Sequence, residues 1–148
     1  MTYATGQSLI LTRVQACDVF DTTNTSECDW KVLNSGKSNT YAILRPGAFK
    51  REWLSATMYR MNYTTVIEVW QRYTVEGTSY TNLYTGVNAL MAMESYHRMG
   101  DTTNAIEDFT IEGSDDPEEM WTKQGGVMWL RWKMRVRWYE ETTVTYAE

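Results

Sequence analysis

Histidine and cysteine are scarce in this sequence, which has one histidine, His97, and two cysteines, Cys17 and Cys28. Zinc sites and histidine-activated nucleophiles need several such side chains close together. His97 also has a structural explanation, because it falls in the predicted last turn of a helix, where positive charge complements the helix dipole. No glycine-rich phosphate loop, paired-cysteine zinc motif or nucleophile elbow occurs. We therefore expect no enzyme, and no catalytic, cofactor or metal site.

Long apolar runs are missing as well. No stretch approaches the ~20 residues that a membrane-spanning helix needs. The short apolar run at residues 9–11 is not preceded by a basic segment, as it would be in a signal peptide. Without export, the two cysteines are expected to stay reduced, although one disulfide between them is the alternative. These absences predict a soluble protein that is made in the cytosol and has no membrane partner.

Proline occurs only twice and low-complexity segments are absent, so we expect a folded chain. Its 148 residues match one typical domain, predicted to span 1–148, and 43% of them are hydrophobic. The net charge of −5 argues against a general nucleic-acid-binding protein, because such proteins gain affinity by neutralising phosphates.

Apolar spacing in the first half predicts an amphipathic helix over residues 7–20 and short strands at residues 30–33 and 41–45. The second strand is expected to end at Pro46-Gly47, a strong turn pair. Residues 48–62 fit either a helical turn or an irregular edge strand.

The second half begins with a predicted strand at residues 63–75, where β-branched and aromatic types are dense. A long helix is predicted over residues 79–99, capped by Thr78 or Ser79 and stopped at Gly100. Its apolar stripe consists of Tyr80, Leu83, Tyr84, Val87, Leu90 and Met91. Strands at residues 105–112 and 127–145 complete the pattern, joined by a loop at residues 113–126. We therefore predict an α+β fold: a single mixed or antiparallel sheet, an N-terminal helix and one long central helix packed on it, and a long C-terminal hairpin.

The last strand carries the most unusual pattern in the chain. Because strand side chains alternate between faces, its core face is predicted to consist of Met128, Leu130, Trp132, Met134, Val136 and Trp138. The opposite face holds Trp129, Arg131, Lys133, Arg135 and Arg137. We call the four cations the basic ladder; they are expected to stand about 6.6 Å apart. One interpretation is a solvated face neutralised by Asp108 and Glu112 on the preceding strand. The other is a contact with a neighbouring subunit or a channel lining.

The predicted loop at residues 113–126 is acidic through Asp115, Asp116, Glu118 and Glu119. Calcium ligation is one possibility, but the spacing and the central glycine of a calcium loop are missing. A solvated hairpin tip is favoured over calcium. A third interpretation is an acidic projection that docks on the basic ladder of a neighbouring subunit. Together with Trp129 and the basic ladder, these four carboxylates form the predicted protein interface.

The order of elements is suggestive when it is read with its sequence segments. After the N-terminal helix come Trp30-Lys31-Val32-Leu33, the strand and turn at residues 41–47, the strand at residues 65–73, one long helix and a closing hairpin. This order resembles that of the tail terminator (tail completion) proteins of long-tailed bacteriophages over essentially the whole chain.

The resemblance implies a structural virion protein without enzymatic activity or cofactor. It would form a ring, expected to be a hexamer, that caps the tail tube at the head-proximal end of the tail. Its partners would be other copies of itself, the tail tube protein and the head-side connector or stopper protein, with DNA passing through the lumen as a further contact. One alternative is a head-tail joining (neck) protein; another is a small domain that binds carbohydrate or single-stranded nucleic acid.

Overall fold

Two helices and seven strands make up a computed structural model of the chain, which describes residues 3–95, 98–100, 105–121 and 127–144. The elements are α1 (Tyr3–Gln15), β1 (Thr25–Glu27), β2 (Thr40–Trp53), β3 (Met58–Arg72), α2 (Glu76–Met91), β4 (Arg98–Gly100), β5 (Ala105–Ser114), β6 (Glu118–Trp121) and β7 (Met128–Thr143). The strands form one sheet in the order β1-β2-β3-β7-β5-β4, and β6 also pairs with β7. β1 runs parallel to β2, and the other pairs are antiparallel. The predicted α+β class with a single mixed sheet is confirmed.

Both helices contribute to one hydrophobic core on the same side of the sheet. Ile10 and Val14 of α1 and Leu83 and Leu90 of α2 are buried there. The predicted core face of the last strand is confirmed, because Leu130, Met134, Val136 and Trp138 are buried in this core and Met128 and Trp132 pack against it. In the described ranges, the opposite sheet face has no α-helix packed on it.

Helix α1 begins and ends earlier than predicted, at Tyr3 and Gln15 instead of residues 7 and 20. The Tyr3 ring lies 5.1 Å from that of Tyr63 and 5.7 Å from that of Trp138, so a tertiary contact stabilises the first turn. After Gln15 the chain tightens into a turn in which the Cys17 amide donates to the Val14 carbonyl at 3.0 Å. The thiols of Cys17 and Cys28 are free, and burial raises the pKa of Cys17.

The strand predicted at residues 30–33 is wrong. These residues belong to a 3₁₀ turn, Trp30–Asn34, in which the Asp29 carboxylate accepts a hydrogen bond from the Lys31 amide at 2.9 Å. Such capping offers the backbone a local alternative to a sheet. The turn buries Leu33 and leaves Trp30 exposed.

Pro46-Gly47 was predicted to end this strand. Instead, β2 continues through the pair, which lies at a bulge between Pro46 and Phe49. Proline is tolerated at a bulge or on an edge strand, and β1 pairs with β2 only as far as Leu44. A Cβ on Gly47 would lie 2.7 Å from the Thr64 carbonyl oxygen, so the close approach of the two strands requires glycine here. Of residues 48–62, for which the sequence left two interpretations open, residues 48–53 continue β2, residues 58–62 begin β3 and residues 54–57 connect the two strands.

Helix α2 is shorter than the predicted 79–99, because Met93 turns into the core within a 3₁₀ turn, Ala92–Ser95. Arg98 and Gly100 belong to β4, not to a helix end, and His97 lies outside the described residues. At the start, Ser79 does not cap the helix. Its hydroxyl instead accepts from the backbone amides of Thr74 and Val75. No helix among the described residues is long and apolar enough to cross a membrane.

Tyr63 gives the fold a defined response to alkaline pH. Burial raises the pKa of Tyr63 to about 12, and its hydroxyl donates to Glu140 Oε1 at 3.0 Å, which adds to the effect. The pKa is raised above the unfolded value of about 10, so this contribution to stability is complete below pH ~10 and is lost as pH rises towards 12.

We therefore expect the stability advantage of the native protein over a Tyr63→Phe variant to shrink as pH rises from about 10 to about 12. Urea unfolding of both proteins across this range measures it. A difference that stays constant with pH would contradict the assignment.

Candidate functional site

The basic ladder lies on the sheet face opposite α1 and α2. Directly opposed residues of paired strands point to the same side, and the register places Lys133 opposite Glu68 and Arg131 opposite Trp70. Exposure increases along the strand: the side chain of Arg131 is 17% exposed, that of Arg135 45% and that of Arg137 54%. The ladder therefore begins half-buried and ends in solvent.

A second, smaller hydrophobic cluster covers one end of this face. Trp129 is 3% exposed, and its ring meets those of Tyr41 and Trp70 with centroids 5.8 and 6.4 Å apart. Leu33 and Ile43 complete the cluster. Trp129, a predicted interface residue, is therefore covered by its own chain, and the accessible surface begins at Arg131.

Glu68 is the buried electrostatic centre of this face. Its side chain is 3% exposed and accepts a hydrogen bond from Arg45 Nε at 2.7 Å. Arg131 Nη1 lies 3.6 Å from the second carboxylate oxygen, and the same guanidinium group stands 5.3 Å from the centre of the Trp70 ring. A buried carboxylate is costly unless cations and hydrogen bonds compensate it. Arg131 therefore has a structural role in addition to any contact it makes with a partner.

The acidic segment docks on the basic ladder of its own chain. Glu118 lies 2.7 Å from Arg131, Asp115 2.6 Å from Arg135, and Glu112 3.3 Å from Arg137. Neutralisation across the sheet, one of the two sequence interpretations, thus occurs at three ladder positions and includes the predicted Glu112. The Asp108 side chain lies outside the description. Lys133 forms no ion pair with any residue that the structure describes.

The predicted hairpin tip at residues 113–126 is wrong in its extent. β5 continues to Ser114, and β6 resumes the pairing with β7 at Glu118, so Asp115 and Asp116 lie in an interruption of one long strand. Trp132 Nε1 donates to the Asp115 carbonyl at 2.8 Å, which holds this interruption against β7. Residues 122–126 of the predicted loop lie outside the described part.

Glu119 points to the helix side of the sheet, unlike Glu118. Its Oε1 accepts from the Tyr80 hydroxyl at 3.0 Å, and this bond raises the pKa of Tyr80. Asp116 is exposed. Within the described ranges, no three acidic, histidine or cysteine side chains are grouped so as to hold a metal ion. The four predicted acidic interface residues therefore do not share one surface.

An exposed aromatic arm, which was not predicted, lies at the end of the β2–β3 hairpin. We define the arm as residues 49–60. Phe49 is 68% exposed and Trp53 49%. The guanidinium carbon of Arg51 lies 5.4 Å from the centres of both the Trp53 and Tyr59 rings. The residues opposite Phe49 and Trp53 are Tyr63 and Tyr59. Since Tyr63 belongs to the main core, the aromatic side of the arm continues the helix side of the sheet.

An apolar groove lies on the same side of the sheet, between α2 and the strands β5 and β7. Its volume is about 520 Å³, and its main lining side chains are Tyr84, Val87, Met91, Ile111, Trp132 and Met134. Tyr84 and Met91 were predicted to be buried, but they are 48% and 49% exposed at the groove. The Tyr84 ring meets the Trp132 ring edge-on at 6.0 Å.

No protein-family model and no curated protein matches the sequence. The function is therefore argued from the surfaces described above.

Proposed function

We propose that the chain is a structural virion protein of a long-tailed bacteriophage. It forms a ring, expected to be hexameric, at the head-proximal end of the tail, where it caps the tail tube, ends its polymerisation and joins it to the head-side connector. It has no enzymatic role in this proposal and is assembled in the host cytoplasm. The order of elements that resembles tail terminator proteins supports it.

The observation that carries the proposal is the presence of unlike exposed surfaces on one small domain. The ladder face is charged, the arm is aromatic and the groove is apolar. A ring between a tube and a connector needs such variety, since each copy must contact its two neighbours and the partners above and below them. Large exposed apolar side chains grouped together mark interaction sites.

We assign the ladder face to the partner stacked on the ring or to DNA in the lumen. Its accessible charges are Lys133, Arg135 and Arg137, and exposed ion pairs such as Arg137–Glu112 can exchange partners at little cost. A contact of this kind weakens with salt. Reversing Arg131 would not test it, because this change would place a second carboxylate beside buried Glu68.

The test combines the chain with the tail tube protein encoded with it. Negative-stain images should show rings at one end of each tube, and tubes should be shorter than those formed without the chain. An Arg135→Glu/Arg137→Glu variant, changed at ladder positions that are 45% and 54% exposed and away from Glu68, should form rings of native mass but leave tubes uncapped. Lys31→Glu/Lys37→Glu changes the net charge equally at exposed sites outside the ladder and should still cap.

Tubes that never acquire a ring from the native chain would refute the proposal. Rings that bind connector assemblies but not tubes would favour the head-tail joining alternative. A monomer that binds glycans or oligonucleotides would favour the small binding domain.

A further inference from the structure

The arm and the groove lie too far apart to meet within one chain. Trp53 pairs with Tyr59, which pairs with Thr142 near the end of β7, whereas the groove contains Trp132. Ten residues of one strand separate Trp132 from Thr142, a span of about 33 Å. Trp53 and the apolar groove therefore stand near opposite ends of the longest strand, and Phe49, level with Trp138, lies about 20 Å along the strand from Trp132.

We propose that the arm of one copy seats in the groove of the next copy, and that this contact closes the ring. The inference rests on the ring function proposed above and specifies how neighbouring subunits meet. Phe49 and Trp53 would be the inserted side chains, and Tyr84, Met91 and Trp132 would receive them. Aromatic anchors that fill a pocket usually supply most of the energy of such interfaces.

Charge complementarity selects a second copy as the occupant. The arm places Arg51 on the same side as its aromatic side chains, 5.4 Å from the centres of the Trp53 and Tyr59 rings. Helix α2 contains no lysine or arginine, and residues 111–119 on the strand side contain no cation. Of the carboxylates in this segment, Glu119 lies on the helix side, where the groove is, and Asp116 is exposed. Although Glu112, Asp115 and Glu118 pair with the ladder, Asp116 forms no ion pair with any residue in the described ranges. The cationic, aromatic arm of one copy is thus complementary to the apolar groove of another copy, which has an acidic rim.

Two unlike patches on one chain make a head-to-tail contact. Each copy offers one arm and one groove, so every contact is the same and the chain of contacts ends only when a ring closes. An arm-to-arm dimer would instead leave both grooves open.

The experiment uses two variants of the whole chain, each defective in one patch. Phe49→Ser/Trp53→Ser removes the arm side chains, and Tyr84→Glu/Met91→Glu spoils the groove. All four positions are at least 48% exposed, so both variants should keep the native circular dichroism spectrum and melting temperature. Each alone should be monomeric, with assembly shifted to at least about 30-fold higher concentration.

Mixing the two variants should restore a single interface. The groove of the arm-defective copy can accept the arm of the groove-defective copy, so native mass spectrometry should show 1:1 dimers and nothing larger. Trp30→Ser/Val75→Ser is the matched control, since these side chains are 55% and 63% exposed outside both patches, and it should assemble like the native chain.

Several outcomes would overturn the inference: native assembly by either variant alone, folded variants that stay monomeric when mixed, or a native chain that stays monomeric at high concentration. Capping of tubes by the native chain would then still support the proposed function. If the native chain failed to cap tubes while the two variants still paired 1:1, the proposed function would be refuted and the arm–groove contact would be supported.

Discussion

Replacing Glu68 by leucine should lower the free energy of unfolding by about 3–5 kcal/mol, the range for breaking a buried ion pair from one side. Leucine removes the carboxylate that Arg45 and Arg131 share at 2.7 and 3.6 Å. The Arg131 guanidinium would then stand 17% exposed beside the Trp70 ring without that counter-ion. Urea unfolding followed by tryptophan fluorescence measures the change.

Glu141→Leu is the matched control. Glu141 also pairs with an arginine, Arg60, at 2.9 Å, but its side chain is 41% exposed. Exposed pairs contribute about 0–1 kcal/mol. A double variant, Glu68→Leu/Arg131→Met, should recover part of the loss because it removes the largely buried cation together with the carboxylate, and only the exposed Glu118 then loses its partner. A Glu68→Leu change that costs no more than Glu141→Leu would refute the role of Glu68.

Periodicity predicted the faces of β7 correctly because this strand runs for 16 residues without interruption. Alternation along such a strand fixes which side chains share a face. The same alternation on β3 places Ile67 and Val69 in the main core and Trp70 in the smaller cluster, where its Nε1 donates to Glu68 at 3.4 Å. Sheet faces and fold class were therefore accessible from local pattern.

Pairings between distant segments were not accessible in this way. Glu68 is compensated by Arg45 and Arg131, which lie 23 and 63 positions away along the chain. The acidic segment binds its own ladder because β6 resumes the pairing with β7, and a sequence without a known register gives no sign of this. The early start of α1 likewise depends on contacts of Tyr3 with Tyr63 and Trp138.

The arm was not predicted because Pro46-Gly47 is a strong turn signal and the strand was expected to end there. The bulge absorbs the pair, and β2 continues past it to Trp53. Exposed Phe49 and Trp53 then have no explanation within the core of this chain, which is why they enter the proposed contact between copies.

Trp138→Ala should cost about 3–5 kcal/mol, the range for removing a large buried aromatic side chain. Trp138 is fully buried, its ring lies 4.4 Å from that of Tyr63, and its Nε1 donates to Thr65 Oγ1 at 3.0 Å. Helix α1 packs directly on it at Gly6. A Cβ on Gly6 would meet three carbons of the Trp138 ring, all at 2.8 Å or less. Trp138 thus requires glycine at this position.

Gly6 and Trp138 should therefore couple so strongly that the effect of Gly6→Ala on the free energy of unfolding changes sign between the two backgrounds. In the native background Gly6→Ala should destabilise by about 1–3 kcal/mol, because the indole and the helix must move apart. In the Trp138→Ala background the obstacle is gone, and the same change should stabilise by about 0.5–1 kcal/mol through helix propensity. Gly77→Ala is the control: a Cβ there meets nothing within 4 Å, so its effect should be equal in both backgrounds. Urea unfolding of the four proteins of the Gly6–Trp138 cycle measures the coupling, and additive effects would mean that α1 does not rest on Trp138.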